Sequence, residues 1–244
     1  MRIALLPTCV VDTVAPEVGV ATVRVLRRAG HEVVVPDGVT CCGQPAWNAG
    51  FHEEAAAVAR TTLGALAEAE VDAVCVPAGS CTTMIRVFWR ELFHLVGDVA
   101  AEARARVIAD RTFEFSELLD RTGGLPDGRH DAAVARHVSC HMLRELGLRD
   151  EAGRLLDGLE GCRTVAWSGD DRCCGFGGTF ALKQPETSVA MADDKIDSLL
   201  TTDATELVGC DQSCLLHLQG RLGRRGETTI RVRHLAEVLD EAWS

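Results

Sequence analysis

Positive charge is the first thing this sequence has little of: 25 Lys and Arg stand against 36 Asp and Glu, a formal net charge of −11 at pH 7. No local basic patch offsets that field, which excludes a role resting on broad attraction to phosphate, and no nucleic-acid partner is expected. Proline is scarce at 7 residues, tyrosine is absent, and aromatics make up only 5%. With 47% hydrophobic and 25% charged residues, the composition is globular rather than disordered or collagen-like. Long apolar runs are missing too. No stretch approaches the roughly 20 residues of a membrane span. Pro7 interrupts the opening Ile3-Ala4-Leu5-Leu6 well short of the roughly 7–15 apolar residues of a signal peptide. A soluble, cytoplasmic protein is expected, and 244 residues suffice for one large domain or two compact ones.

Cysteine, by contrast, is plentiful. Eleven in 244 residues is too few for a disulfide scaffold, where about 8–10% is usual, and too many to ignore in a reducing compartment, where clustered cysteines mean metal or redox chemistry. Two are vicinal pairs followed by glycine, Cys41-Cys42-Gly43 and Cys173-Cys174-Gly175, set 132 residues apart. Flanking cysteines repeat at nearly the same offset, 131 from Cys9 to Cys140 and 133 from Cys81 to Cys214. The chain is an internal duplication. Ser116-Glu117-Leu118-Leu119-Asp120 is echoed by Ala236-Glu237-Val238-Leu239-Asp240 at an offset of 120, because the first half carries extra residues near 95–111. Gly123, Gly124, Pro126 and Gly128 mark a linker, which predicts one repeat over residues 1–122 and a second over 129–244.

Each half alternates short β-rich runs with helical periodicity, the pattern of an α/β fold with a small, mainly parallel sheet flanked by helices. Strands are predicted at Ile3 to Leu6, Glu32 to Val35 and Val71 to Val76, then at Ala132 to Arg136, Arg163 to Trp167 and Glu206 to Gly209. Helices are predicted near 15–29, along Ala55, Ala59, Leu63 and Leu66, along Met84, Phe88 and Leu92, and near 141–158, 186–200 and 213–223. The repeated cysteines then follow strand ends, where parallel sheets bind ligands and helix N-termini favour thiolates. Four thiolates per half could converge. A vicinal pair suits neighbouring irons of a cluster better than one tetrahedral zinc, which prefers two knuckles of about two to four intervening residues. Zinc, or reactive thiols exchanging disulfides, remain the alternatives.

Several runs carry a resemblance: Cys41-Cys42-Gly43-Gln44-Pro45-Ala46-Trp47, Pro77-Ala78-Gly79-Ser80-Cys81, Ser139-Cys140-His141-Met142-Leu143-Arg144-Glu145 and Cys173-Cys174-Gly175-Phe176-Gly177-Gly178. They resemble the duplicated cysteine-rich CCG domain, most closely that of the lactate utilization protein A (LutA/YkgE) family of iron–sulfur proteins. The resemblance implies an electron-transfer subunit of a multi-protein system oxidising L-lactate, a small 2-hydroxy acid, to pyruvate. Iron–sulfur and accessory subunits would be its partners. It also implies one or two clusters of 4Fe–4S type, held by Cys9, Cys41, Cys42 and Cys81 and by Cys140, Cys173, Cys174 and Cys214. The chain is similar, more distantly, to iron–sulfur subunits of heterodisulfide reductase and glycolate oxidase. Heterodisulfide reductase ends each half with Cys-x-x-Cys, but Ala78 and Asp211 stand at the first of those positions, which argues against non-cubane clusters and disulfide chemistry.

The remaining candidates have plainer readings beside functional ones. His137 and His141 flank Cys140 as hydrogen-bond donors, ligands or structural residues. Asp211 could bind iron through oxygen or cap a helix. Lys183 could balance cluster charge or simply be solvated, and Cys210 could be an auxiliary ligand. Cys75 reads as a buried hydrophobe and Cys162 as structural. No complete flavin or nicotinamide fingerprint is present, so no residue is singled out as catalytic and the chain is expected to need partners for a hydride step.

Overall fold

Two four-stranded sheets, each wholly parallel, frame the computed structural model, which describes residues 1–123 and 127–243. Part of the expected linker, Gly124 to Pro126, lies outside the described residues. The first sheet comprises β1 (Arg2–Leu5), β2 (Glu32–Val34), β3 (Ala73–Val76) and β4 (Thr112–Glu114), in the order β2-β1-β3-β4. The second comprises β5 (Arg129–His137), β6 (Glu160–Val165), β7 (Glu206–Gly209) and β8 (Arg231–His234), in the order β6-β5-β7-β8. The fold is therefore α/β, built as two pseudo-symmetric repeats. Central strands need apolar residues on both faces. Ile3, Ala4 and Leu5 in β1, all four residues of β3 and Leu207, Val208 and Gly209 of β7 are buried accordingly, while Glu206 of β7 is buried against His130 at 2.8 Å.

Helices cover both sheets, and helix Val99–Asp110, whose twelve residues have no counterpart among the described residues of the second half, accounts for most of the fall in repeat offset from 133 to 120. Its Ala101, Ala105 and Ile108 join the first half's own core. The second half keeps a smaller core around Ala192, Ile196, Leu207 and Leu218. A third core is shared between the halves. Ile3, Leu5, Val25, Phe115 and Leu119 meet Val134, Leu156, Leu235 and Leu239 in one cluster. Helix Leu235–Ala242 packs on Pro16–Arg28 of the first half, and helix Phe115–Thr122 packs on Glu151–Asp157 of the second. Each repeat thus lends its last helix to the other, burying apolar surface that holds the two sheets together.

The structure corrects several expected boundaries. The helix expected near 141–158 is broken: a π-helical turn, Met142–Leu146, ends at Gly147 with φ of 69°, and helix Glu151–Asp157 starts afresh. Glycine enters that left-handed conformation without a Cβ clash. The strand expected from Arg163 to Trp167 runs from Glu160 to Val165, because Trp167 turns aside and donates its indole N–H to the Arg136 carbonyl at 2.9 Å. The helix along Met84 and Phe88 is interrupted by a second π turn, Met84–Phe88.

Candidate functional site

Cys9 opens helix Cys9–Val14 after β1, entered through Thr8, whose φ of 71° is the one positive value at a non-glycine among the described residues. Cys81 sits in the first turn of helix Gly79–Thr83 after β3. The Cys41-Cys42 pair lies in the loop after β2 and is turned by Gly43, whose φ is 88°. A Cβ there would meet the Ala55 carbonyl at 2.8 Å, so no other residue lets the loop rest on helix His52–Glu68. The second half repeats this. Gly175 also has φ of 88°, and its Cβ would meet the Ser188 carbonyl at 2.5 Å. Both glycines aim an N–H at sulfur, Gly43 at Cys41 Sγ (3.5 Å) and Gly175 at Cys173 Sγ (3.4 Å).

These loops bring all eight repeated cysteines to the wall of one cavity between the halves, together with Gln44, Ser80, Ser139, His141 and Asp211. Within the first set, Cys9 Sγ lies 3.5 Å from Cys41 Sγ and Cys42 Sγ 3.2 Å from Cys81 Sγ; in the second, Cys174 Sγ lies 3.0 Å from Cys214 Sγ. Hydrogen bonds from Cys42 and Cys9, helped by the Gly43 N–H, pull the Cys41 thiol down to about 3. Cys140, Cys174 and the Gly175 N–H pull Cys173 down to about 2. The same sharing with Cys41, then burial, pushes Cys9 up, and Cys140 responds likewise to Cys173. Each set is organised around one thiolate, as a site for a cationic group requires.

The two sets adjoin across a local two-fold axis. Ala78 pairs with its repeat equivalent Asp211 in an antiparallel bridge, and the Gly79 N–H donates to the Cys210 carbonyl at 3.3 Å. The Asp211 carboxylate caps the opposite half's helix, not its own, accepting from the Ser80 N–H at 2.8 Å and from the Ser213 hydroxyl at 2.6 Å. His141 spans the halves: its Nε2 lies 3.3 Å from Gln44 Nε2 and its Nδ1 3.3 Å from the Glu145 carboxylate.

His137, at the end of β5, is buried with neither ring nitrogen hydrogen-bonded. A ring nitrogen and the sulfurs of Cys174 and Cys214 all lie within 4.8 Å of one another. Burial, then the Lys195 charge, holds His137 well below the ordinary imidazole range. Neutral, it offers one N–H and one lone pair to whatever the sulfurs hold. Lys195 is itself 1% exposed. Its Nζ donates to the carbonyls of Gly169, Asp170 (3.3 Å) and Arg172 (2.8 Å) and faces the Trp167 ring at 4.8 Å. Burial pulls it down to about 8, against the upward pull of Cys174 and Cys214.

Residues 3–86 and 134–219 match the cysteine-rich domain family CCG. The chain is 41% identical to lactate utilization protein A of an Exiguobacterium species over 98% of this chain and 97% of that one. It is also 41% identical to that of Bacillus velezensis over 98% and 99%, and 40% identical to that of Geobacillus kaustophilus over 98% and 99%. The chain belongs to the lactate utilization protein A family. A likeness to a solved structure, the Escherichia coli transcriptional repressor ascG, covers 99% of this chain and 88% of that one at 12% identity, but its TM-score of 0.25 carries no argument.

In this member of the lactate utilization protein A family, some candidates stand away from the cavity wall. Lys183 is exposed on helix Phe180–Lys183, its Nζ 5.7 Å from the Phe51 ring centre. Cys210 is buried beside the Ala78–Asp211 bridge, its thiol pushed well up by burial and then by Glu114. Cys75 is buried within β3, and Cys162 sits half-buried in β6. Lys195, Ser188 and His217 were not singled out by sequence reasoning. Ser188 donates to the Gly175 carbonyl at 2.7 Å and lies 3.2 Å from His217 Nε2. Aligning the halves at an offset of 133 pairs Lys195 with Thr62, Ser188 with Ala55 and His217 with Met84, and that substitution pattern was the available signal.

Proposed function

We propose that the chain is the iron–sulfur electron-transfer subunit of a multi-protein system that oxidises L-lactate to pyruvate in the cytoplasm. The observation that carries this reading is the convergence of two four-cysteine sets on one cavity. Cys9, Cys41, Cys42 and Cys81 would hold one cluster of 4Fe–4S type, and Cys140, Cys173, Cys174 and Cys214 a second. The residues fit such a group: four sulfurs per set, glycine N–H groups aimed at two of the sulfurs, and an unpartnered buried His137 beside two more. Bound there, the clusters would take up and release single electrons.

The chain's own residues would organise that transfer. Cys41 and Cys173, already thiolate-like, give each set its anchoring charge. Buried Cys42, Cys81, Cys174 and Cys214 keep water from the sulfurs, and Gln44 with His141 ties the halves across the cavity mouth. Oxidation of lactate releases two electrons and two protons, and two sites in one chain match two one-electron acceptors. The protein lacks a fingerprint for a hydride-accepting cofactor, so the carbon–hydrogen bond would break on a partner subunit. The observation against heterodisulfide-type chemistry is that Asp211 and Ala78 pair with each other and bring no further thiol to the cavity. In the test, L-lactate added anaerobically to the loaded chain with its partner subunits should bleach the visible absorption, while the chain alone should not respond. Return of the absorption when a disulfide substrate is added to the pre-reduced chain, with no bleaching by lactate, would reverse the assignment.

A further inference from the structure

The two cysteine sets share a scaffold but not an environment. Solvent exposure is matched: Cys42 and Cys174 are 2% and 3% exposed, and Cys81 and Cys214 are both 8%. The neighbours differ. The offset relating Cys9 to Cys140 places Leu6 in the first half where His137 stands in the second. Leu6 packs in the same apolar cluster as Cys42 and Cys81, whereas His137 brings unpartnered nitrogens to Cys174 and Cys214.

Thr62 and Lys195 are also equivalent, and both tie down the loop that carries the vicinal pair. Thr62 donates to the Cys41 carbonyl at 3.0 Å and accepts from the Thr40 N–H at 3.1 Å. Lys195 grips the carbonyls of Gly169, Asp170 and Arg172, just before Cys173. The mechanical role is the same, but one side chain is neutral and the other brings a buried cation, whose field acts through little water. Asp211 is the one carboxylate on the cavity wall among the described residues. Its carboxylate accepts from donors of both halves, Ser80 and Ser213, but its field bears on Cys140 and Cys214 of the second set, where it opposes that of Lys195.

With exposure matched, net charge and hydrogen bonds to sulfur are what remain to set a cluster's potential. We infer that the two sites are not redox-equivalent, and that the second, flanked by His137 and Lys195, holds the higher-potential group. This rests on the iron–sulfur reading above. His137 and Lys195 are positioning residues here, acting through the sulfurs and their loop.

The test is a redox titration of the loaded full-length chain, followed by low-temperature EPR, on the wild type, Lys195→Met and His137→Leu. Iron and sulfide are counted in each, so that a variant which merely loosens the site is recognised. Two midpoint potentials are expected in the wild type, and each variant should lower the upper one while leaving the lower in place. Leu6→His, which gives the first half the second half's residue, should raise the lower one. A single shared potential, or variants that move both potentials or neither, would overturn the inference alone. A chain that binds no iron and sulfide would overturn the proposed function, and this inference with it.

Discussion

At the end of β4 the first half places Glu114, and at the end of β8 the second half places His234, and both are completely buried. Each caps the helix that follows. Glu114 Oε2 accepts from the Ser116 N–H at 2.7 Å, and His234 Nδ1 accepts from the Ala236 N–H at 3.1 Å. A glutamate three residues on, Glu117 or Glu237, returns a carboxylate to the backbone N–H of the cap residue. The duplicated backbone therefore demands an acceptor at this point and is indifferent to which group supplies it. What differs is the pH at which each cap gains charge, Glu114 on the alkaline side and His234 on the acid side. Burial pushes Glu114 up to about 8, whereas burial holds His234 down to about 4, with its Nε2 donating to the Pro77 carbonyl. The same division between shared geometry and separate electrostatics distinguishes Thr62 from Lys195 and Leu6 from His137.

The sharpest way to break the comparison is to disable one half at a time. Cys42→Ala and Cys174→Ala should each remove about half of the bound iron, measured against protein, if the sets are independent sites. Loss of all iron in either variant would mean one shared site.

Acid and base should then separate the two caps. The folded-state value of Glu114 lies above the usual 4.5, so its contribution to stability is present below about 4.5 and is lost as pH rises through about 8. Glu114→Gln should flatten that fall, an effect on the order of a few kcal/mol in urea unfolding at pH 8. His234 lies below the usual 6.5, so its contribution is present above that value and is lost as pH falls through about 4. His234→Asn, which keeps a cap acceptor but does not titrate, should flatten the acid side in a parallel series at pH 5. Equal pH profiles for wild type and both variants would contradict the assignment.

Smaller effects probe the axis and the one-sided contacts. Asp211→Ala leaves the Ser80 N–H without its cap and should cost about 1 kcal/mol in urea unfolding, with Asp211→Asn recovering part of it. Trp89 donates its indole N–H to the Cys42 carbonyl at 2.8 Å, a bond for which the second half has only Leu222 at the equivalent position. Trp89→Phe should therefore cost roughly 1 kcal/mol and lower iron retention in the first site alone.

The repeat, the parallel sheets and the placing of cysteines beyond strand ends were legible because cysteine spacing and apolar runs report them directly. Strands β4 and β8 were not read: they are three and four residues long, and β8 carries Arg231, Arg233 and His234, so no apolar alternation marks them. Only the echo of the helices that follow hinted at them. The two lysines show the other limit. Lys183, beside a glycine-rich turn, drew attention but is exposed, while Lys195 lies in a helix among Asp193, Asp194 and Asp197 and reads as surface. Its burial depends on three loop carbonyls and Trp167, brought together by a fold that no local pattern encodes.

The central claim, that two four-cysteine sets hold iron–sulfur clusters, is tested most directly by counting iron, acid-labile sulfide and zinc per chain after strictly anaerobic purification. About eight iron with matching sulfide and negligible zinc is the expected result for two four-iron clusters. Stoichiometric zinc without sulfide, in protein never exposed to oxygen, would contradict it and leave a structural metal module in its place.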